Sequence, residues 1–271
     1  MERALVGKKI VRAEVVPDEI VLKGVPPNVV HDVLVGSKVT RIGRHGKYWW
    51  LEFDRTPWLF GHLGMAGWVR DVSPNGGERQ VKTRLREHGS KPMDDEAGRP
   101  RFLKLLIEAE DGSKIAFTDG RRLGRLWLAE SHETGLKGLG PDVLDDPWKP
   151  ADLLRRLTGR TAPIKALLLD QSLFAGIGNW IADEVLYQAR IAPKRQAGSL
   201  KLPELKRLTD VLKTILETSI EVDANSEHYP DDWLFNARWG GAKGTGEVMG
   251  HTIVRETVGG RTTAWVPDLQ K

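Results

Sequence analysis

A glycine-rich segment at residues 171–184 carries the strongest chemical signal in the chain. It reads QSLFAGIGNWIADE and is flanked by apolar runs of helical period. Gly176 and Gly178 allow positive φ and the close approach of another backbone. Asn179 can cap the following helix, whose free N–H groups would bind an anion. The segment predicts a phosphate-binding turn between two helices, although an ordinary glycine-rich connection has the same composition.

Lys47 is a second candidate for a contact outside the protein. It lies in a stretch that is predicted as a strand and is otherwise strongly apolar. Its ammonium group is therefore expected to face a groove or an anion. An ordinary exposed lysine on a strand would give the same pattern, and the residues alone leave both interpretations open.

The elements that must position these residues differ between the two halves of the chain. Up to about Glu130, apolar residues recur at every second position between turn clusters, which predicts an antiparallel sandwich or barrel. The alternating sets are Val11, Ala13 and Val15; Trp49, Leu51 and Phe53; Leu103, Leu105 and Ile107; Ile115 and Phe117; Leu126 and Leu128. Residues 71–101 are polar and aperiodic, which predicts a long surface loop between two strands.

Beyond residue 142 the apolar period becomes helical. The apolar helix faces are Ile164, Leu167 and Leu168; Ile181, Val185, Leu186 and Ala189; Leu205, Leu208, Leu212, Ile215 and Leu216. The tail from Trp233 onward returns to glycine-rich turns and short β-like pieces at 252–254 and 262–266. A helical domain followed by a small β-structure is therefore predicted.

The composition excludes several classes of protein. The chain has 271 residues, 40% of them hydrophobic, which suffices for one large or two ordinary domains. No apolar run approaches the roughly 20 residues that span a bilayer, and no signal-peptide pattern follows Met1. The absence of cysteine excludes disulfides, thiolate metal sites and cysteine nucleophiles. A formal net charge of +4 permits a polyanionic partner without requiring one.

Five motifs, in this order, resemble those of the formamidopyrimidine-DNA glycosylase and endonuclease VIII family. They are 44–48 (RHGKY), 62–67 (HLGMAG), 117–123 (FTDGRRL), 164–191 and 259–263 (GGRTT). The fourth contains the helix–two-turn–helix and resembles the plant and fungal branch. The resemblance implies an α+β fold with three parts: an N-terminal antiparallel β-sandwich at 1–135, a helical helix–two-turn–helix domain at 136–226, and a C-terminal zincless β-hairpin finger at 227–271.

The resemblance also assigns roles to side chains. Met65, Arg121 and Leu123 would form a wedge that fills the hole left when a damaged base is flipped out of the duplex. The family usually has phenylalanine where this chain has Leu123, which leaves the preference for the opposite base open. Lys47 and Arg261 would be catalytic, with Lys47 taking part in elimination at the abasic sugar. The DNA contacts would come from Arg121, Arg160, Lys165, Gly178, Asn179 and Arg261.

The C-terminal segment departs from the bacterial pattern of the family. There four cysteines hold the hairpin on zinc, and this chain has none. His228 and His251 are only two candidate ligands and lie far apart in the sequence, so we expect neither a metal nor another cofactor. Packing is expected to replace the metal, through Trp233, Trp239, Trp265 and Val266.

The amino terminus also departs from the family, whose enzymes start Pro-Glu after removal of the initiator methionine. In them the proline amine forms a Schiff base with the sugar and the glutamate donates a proton. Here residues 5–10 (LVGKKI) align with the end of the first helix and the following strand, so Glu2 does not take that role. Either the sequence is a truncated form of a complete enzyme, or the protein binds lesions without the lyase nucleophile.

The sequence thus predicts a base-excision-repair DNA glycosylase and AP lyase for oxidised or ring-opened bases, with duplex DNA in a basic cleft between lobes. Because the catalytic amino terminus of the family is missing from this sequence, DNA binding is expected to survive better than catalysis. A non-catalytic protein that binds damaged DNA and an RNA-binding helix–two-turn–helix protein are the alternatives. The RNA-binding family lacks the Lys47, Met65 and Arg121 motifs on a preceding β-domain. We expect a monomer whose partner is damaged double-stranded DNA, in the nucleus, neither secreted nor membrane-bound.

Overall fold

The computed structural model describes residues 1–74, 94–96, 98–145, 148–239 and 246–271. Backbone contacts divide these residues into two compact units, one within 1–137 and the other within 138–271. The boundary predicted between 135 and 136 lies two residues from this division, and the helical and hairpin segments share the second unit. Across the described ranges, no helix is long and apolar enough to cross a lipid bilayer.

The first unit is the predicted antiparallel β-sandwich. Its described elements are α1 (Glu2–Leu5), β1 (Ile10–Val15), α2 (Pro27–Leu34), β2 (Val39–His45), β3 (Tyr48–Phe53), β4 (Trp58–His62), β5 (Gly67–Asp71), β6 (Leu103–Ala109), β7 (Lys114–Asp119), β8 (Arg125–Ala129) and α3 (His132–Gly135). The eight described strands form two four-stranded sheets, ordered β1-β6-β7-β5 and β2-β3-β4-β8. Apolar residues of both sheets, such as Leu59 and Leu105, share one buried core. Alternation at Leu103, Leu105 and Ile107 is confirmed, since all three are buried.

Two positions in the sandwich depart from the predicted alternation. The pairing of β1 with β6 shifts between Ile10 and Arg12, and such a bulge displaces the two-residue period. Val11 is therefore 50% exposed, so the prediction that it shares the core face of Ala13 is wrong. Trp50 is buried on the other face of β3, where it stacks on Phe60.

The predicted long surface loop connects β5 to β6. Most of it, residues 75–93 and 97, lies outside the described residues.

The second unit is the helical domain with a small sheet. Its described helices and strands are α4 (Pro150–Leu157), α5 (Ile164–Leu168), α6 (Asn179–Gln188), α7 (Leu202–Glu221), α8 (Leu234–Ala237), β9 (Gly246–Val248), β10 (His251–Val258) and β11 (Arg261–Trp265). The predicted apolar stripe of α7 is buried from Leu205 to Leu216 and packs against α4 and α6. The strands form an antiparallel sheet in the order β11-β10-β9.

The small sheet is packed differently from the prediction. Its apolar cluster contains Val266 but none of the three tryptophans; the other buried members are Tyr187, Leu234, Val248, Ile253 and Ala264. Trp233 belongs to the helical core, and Trp239 is 57% exposed. Packing by three tryptophans is therefore wrong as the reason why the hairpin holds together.

Candidate nucleic-acid interface

Two turns of the sandwich pack backbone against backbone at one end of the sheets. The first, residues 63–66, joins β4 to β5, and the second, residues 120–124, joins β7 to β8. A Cβ atom added to Gly64 would lie 2.5 Å from the carbonyl carbon and oxygen of Leu123. Gly64 also has a φ of +63°, which disfavours other residues. This approach places Met65 and Leu123 on the same surface, which we call the wedge turns.

The second wedge turn is fixed by a buried carboxylate. Asp119 is fully buried, and its two oxygens accept the N–H groups of Arg121 (3.0 Å) and Gly124 (2.6 Å). No role was predicted for Asp119, although an aspartate that opens a turn commonly accepts a hydrogen bond from the backbone two residues on. The bonds hold Arg121 at an exposed position, while Leu123 is partly exposed. Met65, on the first turn, is 63% exposed.

The neighbouring arginine has a structural role. Arg122 has a positive φ and makes a two-pronged ion pair with Asp18, at 2.9 Å and 3.0 Å. Lys104 reaches the same carboxylate at 2.9 Å. Burial opposes the charged form of Asp18, but the bonds from Arg122, Lys104 and the Val21 N–H outweigh it and hold the pKa of Asp18 well below its ordinary value. Arg122 therefore anchors the turn that presents Arg121.

Lys47 lies in a two-residue turn and not within a strand as predicted. His45 pairs with Tyr48 across the hairpin of β2 and β3, which leaves Gly46, with a φ of 58°, and Lys47 at its tip. Lys47 is exposed. Because Tyr48 pairs with His62 on β4, the lysine lies at the same end of the sheet as the first wedge turn.

His62 connects the turn that carries Lys47 to the wedge turns. Its Nδ1 atom accepts the N–H of Gly64 at 3.0 Å, so the imidazole must be neutral with its proton on Nε2. Burial, with the positive charges of Lys47 and Arg125, lowers the pKa of His62 below its ordinary value of 6.5. The imidazole therefore stays an acceptor at neutral pH and holds the glycine turn.

We expect His62 to show an Nε2–H tautomer at pH 7 and a pKa below 6.5 in nuclear magnetic resonance spectra of the ring nitrogens. A depressed pKa in the folded state means that the contribution of His62 to stability is present above pH 6.5. That contribution is lost as the pH falls through the folded pKa. An Nδ1–H tautomer, or a pKa at or above 6.5, would contradict the proposed link between His62 and Gly64.

In the second unit, the hairpin turn lies against the helix–two-turn–helix. A Cβ atom on Gly259, whose φ is +61°, would lie 2.8 Å from the Cβ of Ala166 on α5. The carbonyl of Thr262 accepts hydrogen bonds from the Asn179 amide (3.0 Å) and from Lys165 (3.1 Å). Arg261, next to Thr262, is exposed. We call Gly178, Asn179 and Arg261 the hairpin surface.

Lys165 does not have the role that the sequence predicted. Its side chain has no exposed surface, and its ammonium group is 2.5 Å from the carboxylate of Asp183. A phosphate cannot reach a fully buried ammonium group, so the prediction of a direct DNA contact through Lys165 is wrong for this structure. The residue instead joins α5 to α6 and to the hairpin strand β11.

The predictions for Gly178 and Asn179 need smaller corrections. Asn179 is the first residue of α6 and Gly178 precedes it without a side-chain cap, so Asn179 does not cap the helix. Gly176 has the predicted positive φ of 115°, whereas Gly178 has a φ of −101°. A Cβ atom on Gly178 would meet no atom within 4 Å, which leaves the start of α6 open to a ligand backbone.

Along the chain, Arg160 lies apart from the residues of the hairpin surface. It is exposed in the connection between α4 and α5, where its backbone carbonyl accepts the N–H of Gly198 at 2.9 Å. The described part of the chain contains no group of three His, Asp or Glu side chains that could hold a metal ion. His251, one of the two histidines considered for such a site, is 3.8 Å from Asp268.

Both units match known protein families. Residues 1–126 match the formamidopyrimidine-DNA glycosylase N-terminal domain, and residues 139–241 match the formamidopyrimidine-DNA glycosylase H2TH domain. The chain belongs to the formamidopyrimidine-DNA glycosylase family. A member of that name from Arabidopsis thaliana is 37% identical over 275 residues, which cover 100% of this chain and 68% of the relative. Another, from Rhizorhabdus wittichii, is 33% identical over 250 residues, which cover 88% and 84%.

Solved structures of the family share the fold. MutM in complex with DNA that contains carbocyclic 8-oxo-G has a TM-score of 0.76 and 26% identity, over 100% of this chain and 95% of that one. Lactococcus lactis Fpg in complex with DNA that contains an abasic site has a TM-score of 0.77 and 25% identity, over the same shares. Membership of this family supports DNA glycosylase activity on oxidised bases, which agrees with the prediction from the motifs.

Proposed function

We propose that this chain extracts a damaged base from duplex DNA and cleaves the strand at the resulting abasic site. The observation that carries the proposal is the pair of wedge turns, where exposed Met65 and exposed Arg121 belong to turns joined through Gly64 and Leu123. Flipping a base costs a few kcal/mol and leaves a hole in the stack. A flexible apolar side chain fills such a hole, and an arginine can hydrogen-bond the orphaned base.

Lys47 supports the lyase part of the proposal. Its amine is exposed at a turn on the same end of the sheet as the wedge, so it can approach the sugar of a flipped nucleotide. An amine can take a proton during elimination or attack the open form of an abasic sugar as a nucleophile. We infer that Lys47 performs the elimination.

The hairpin surface and Arg160 support a phosphate contact on the second unit. Arg261 is exposed beside the open start of α6, where free backbone N–H groups favour an anion. Arginine binds phosphate with a fork of donors. We propose that Arg261, Gly178 and Asn179 hold one phosphate near the lesion, and that Arg160 and Arg121 make further contacts.

Borohydride trapping tests this function directly. The protein is mixed with a duplex that holds one abasic site, and a covalent mass shift and strand cleavage are scored beside an undamaged duplex. A trapped adduct with cleavage supports the lyase, and peptide mapping shows whether Lys47 carries the adduct. Binding of the abasic duplex without an adduct would instead favour a damage-binding protein. Tighter binding to structured RNA than to the abasic duplex would contradict both.

Base release is a separate measurement. We expect the protein to liberate a formamidopyrimidine or 8-oxoguanine base from duplex DNA, as the names and complexes of its relatives suggest. If no oxidised or ring-opened base is released while the abasic duplex is cleaved, the glycosylase half of the proposal is wrong and the lyase half stands.

Arg261→Ala is expected to raise the Kd for an abasic duplex about tenfold, the loss of one charged hydrogen-bonded contact. The slope of log K against log salt should fall by about one. Lys213→Ala is the control, because Lys213 is an exposed cation on α7 that faces Glu217. An equal effect of both variants would mean that general basicity, and not the hairpin surface, binds the DNA.

A further inference from the structure

A buried ionic cluster joins the helices of the second unit to the hairpin. Lys165, Asp183 and Arg238 are all at least nine-tenths buried. One oxygen of Asp183 is 2.5 Å from the Lys165 ammonium, and the other accepts both Nε (2.9 Å) and Nη2 (2.7 Å) of Arg238. If one partner of such a pair is removed, the other is left as an uncompensated buried charge. The three side chains are therefore tightly constrained in their geometry.

The cluster contains two cations for one carboxylate. Burial lowers the pKa of Lys165, the charge of Asp183 opposes that shift, and the charges of Arg238 and Arg261 add to it. Arg261 therefore lies within the electrostatic reach of the cluster. The negative charge of Asp183 compensates part of this positive charge and so stabilises the cluster next to the hairpin.

The cluster residues contact both strands of the hairpin: the side chains of Asp183 and Lys165 contact β11, and the backbone carbonyl of Arg238 contacts β10. The second oxygen of Asp183 also accepts the N–H of Ala264 at 3.2 Å. Lys165 donates to the Thr263 hydroxyl at 2.6 Å, and that hydroxyl donates to the carbonyl of Arg261 at 3.2 Å. On the other strand, Arg255 donates from Nε to the carbonyl of Arg238 at 3.1 Å.

We propose that Asp183 is the positioning residue for Arg261: it neutralises Lys165 and Arg238 and, through Ala264 and Thr263, fixes the strand that presents the arginine to DNA. The inference rests on the proposed role of Arg261 as a phosphate contact. It identifies a side chain with no exposure to DNA that sets how well the hairpin surface binds it. The ionic cluster thus gives the hairpin the rigidity that tryptophan packing does not supply.

Asp183→Asn tests the proposal, because asparagine keeps the size of the side chain and loses the charge. We expect the Kd for an abasic duplex to rise about tenfold, as in Arg261→Ala, and the double variant to bind no worse than Arg261→Ala alone. Glu184→Gln is the matched control. Glu184 is equally buried on the same helix but accepts the N–H groups of Leu234 and Phe235, at 3.2 Å and 2.7 Å, and none of the hairpin.

A second measurement uses the protein without DNA. Hydrogen exchange at the Ala264 amide should accelerate at least tenfold in Asp183→Asn and stay within threefold of the wild type in Glu184→Gln. Addition of Arg238→Met to Asp183→Asn restores the net charge of the cluster and should recover part of the binding. If Asp183→Asn does not fold, Thr263→Val replaces it, since it keeps all three charges and removes the hydroxyl that Lys165 contacts.

The outcomes separate this inference from the proposed function. An equal loss of binding from Asp183→Asn in the wild-type and Arg261→Ala backgrounds would mean a general structural role and overturn the inference. So would unchanged exchange at Ala264. If the wild type does not prefer the abasic duplex over an undamaged one, the proposed function fails, whereas the exchange result still decides whether Asp183 positions the hairpin.

Discussion

Lys47→Ala is expected to slow strand cleavage at an abasic site by at least about 100-fold, the lower end of what one positioned proton-transfer group contributes. The expectation follows from the exposure of Lys47 at the tip of the β2–β3 hairpin, at the same end of the sheet as the first wedge turn. Single-turnover cleavage of an end-labelled abasic duplex measures the rate. The duplex must be saturated with protein, so that a loss of affinity does not imitate a loss of chemistry.

Two variants separate charge from chemistry at this position. Lys47→Arg keeps the positive charge but has no accessible neutral form, so it should retain binding and lose cleavage. Lys38→Ala removes an exposed lysine next to Val39, at the other end of β2, and should change neither. Cleavage by Lys47→Ala within threefold of the wild type would exclude Lys47 from the mechanism.

The sandwich could be predicted from the sequence because its strands alternate regularly and lie between clear turn residues. The period fails where the pairing is irregular. The bulge in β1 moves Val11 off the core face, and a bulge is decided by the partner strand β6, about a hundred residues away. The position of Lys47 was missed for a simpler reason: a two-residue hairpin turn is shorter than the window in which a period can be recognised.

The burial of Lys165 could not be predicted from its neighbours in the sequence. Its partners are Asp183 on another helix and Thr262 and Thr263 on a strand almost a hundred residues later. Asp183 also lies off the apolar face predicted for α6, so nothing in the sequence indicated that a buried carboxylate there would need a cation. The motif resemblance predicted a DNA contact at Lys165 and could not distinguish a phosphate contact from an internal ion pair.

The wedge turns show the same limit. Spacing alone does not indicate that residues 62–67 and 117–123 meet in space, because their contact depends on the order of strands in two different sheets. The resemblance grouped Met65, Arg121 and Leu123, and the structure supplies the reason why they can be grouped. Gly64 has no side chain, and Asp119 fixes the opposing turn with two backbone hydrogen bonds.

Gly64→Ala should therefore strongly destabilise the sandwich. Two costs combine: a left-handed φ of +63°, which costs an L-residue about 1–2 kcal/mol, and a Cβ placed 2.5 Å from the Leu123 backbone, which costs a further 1–3 kcal/mol or so. We expect the free energy of unfolding to fall by about 3 kcal/mol, measured by urea denaturation. The Kd for an abasic duplex should rise at least about tenfold, because the turn that presents Met65 must move.

Gly112→Ala is the matched control for the backbone cost. Gly112 has a φ of +83° in the β6–β7 turn of the same unit, and a Cβ atom there would meet nothing within 4 Å. It should lose only about 1 kcal/mol of stability and none of the DNA affinity. The difference between the two alanine variants isolates the close approach of the wedge turns. If Gly64→Ala cost no more than Gly112→Ala and bound DNA normally, the contact between the turns would not be what places Met65 beside Leu123.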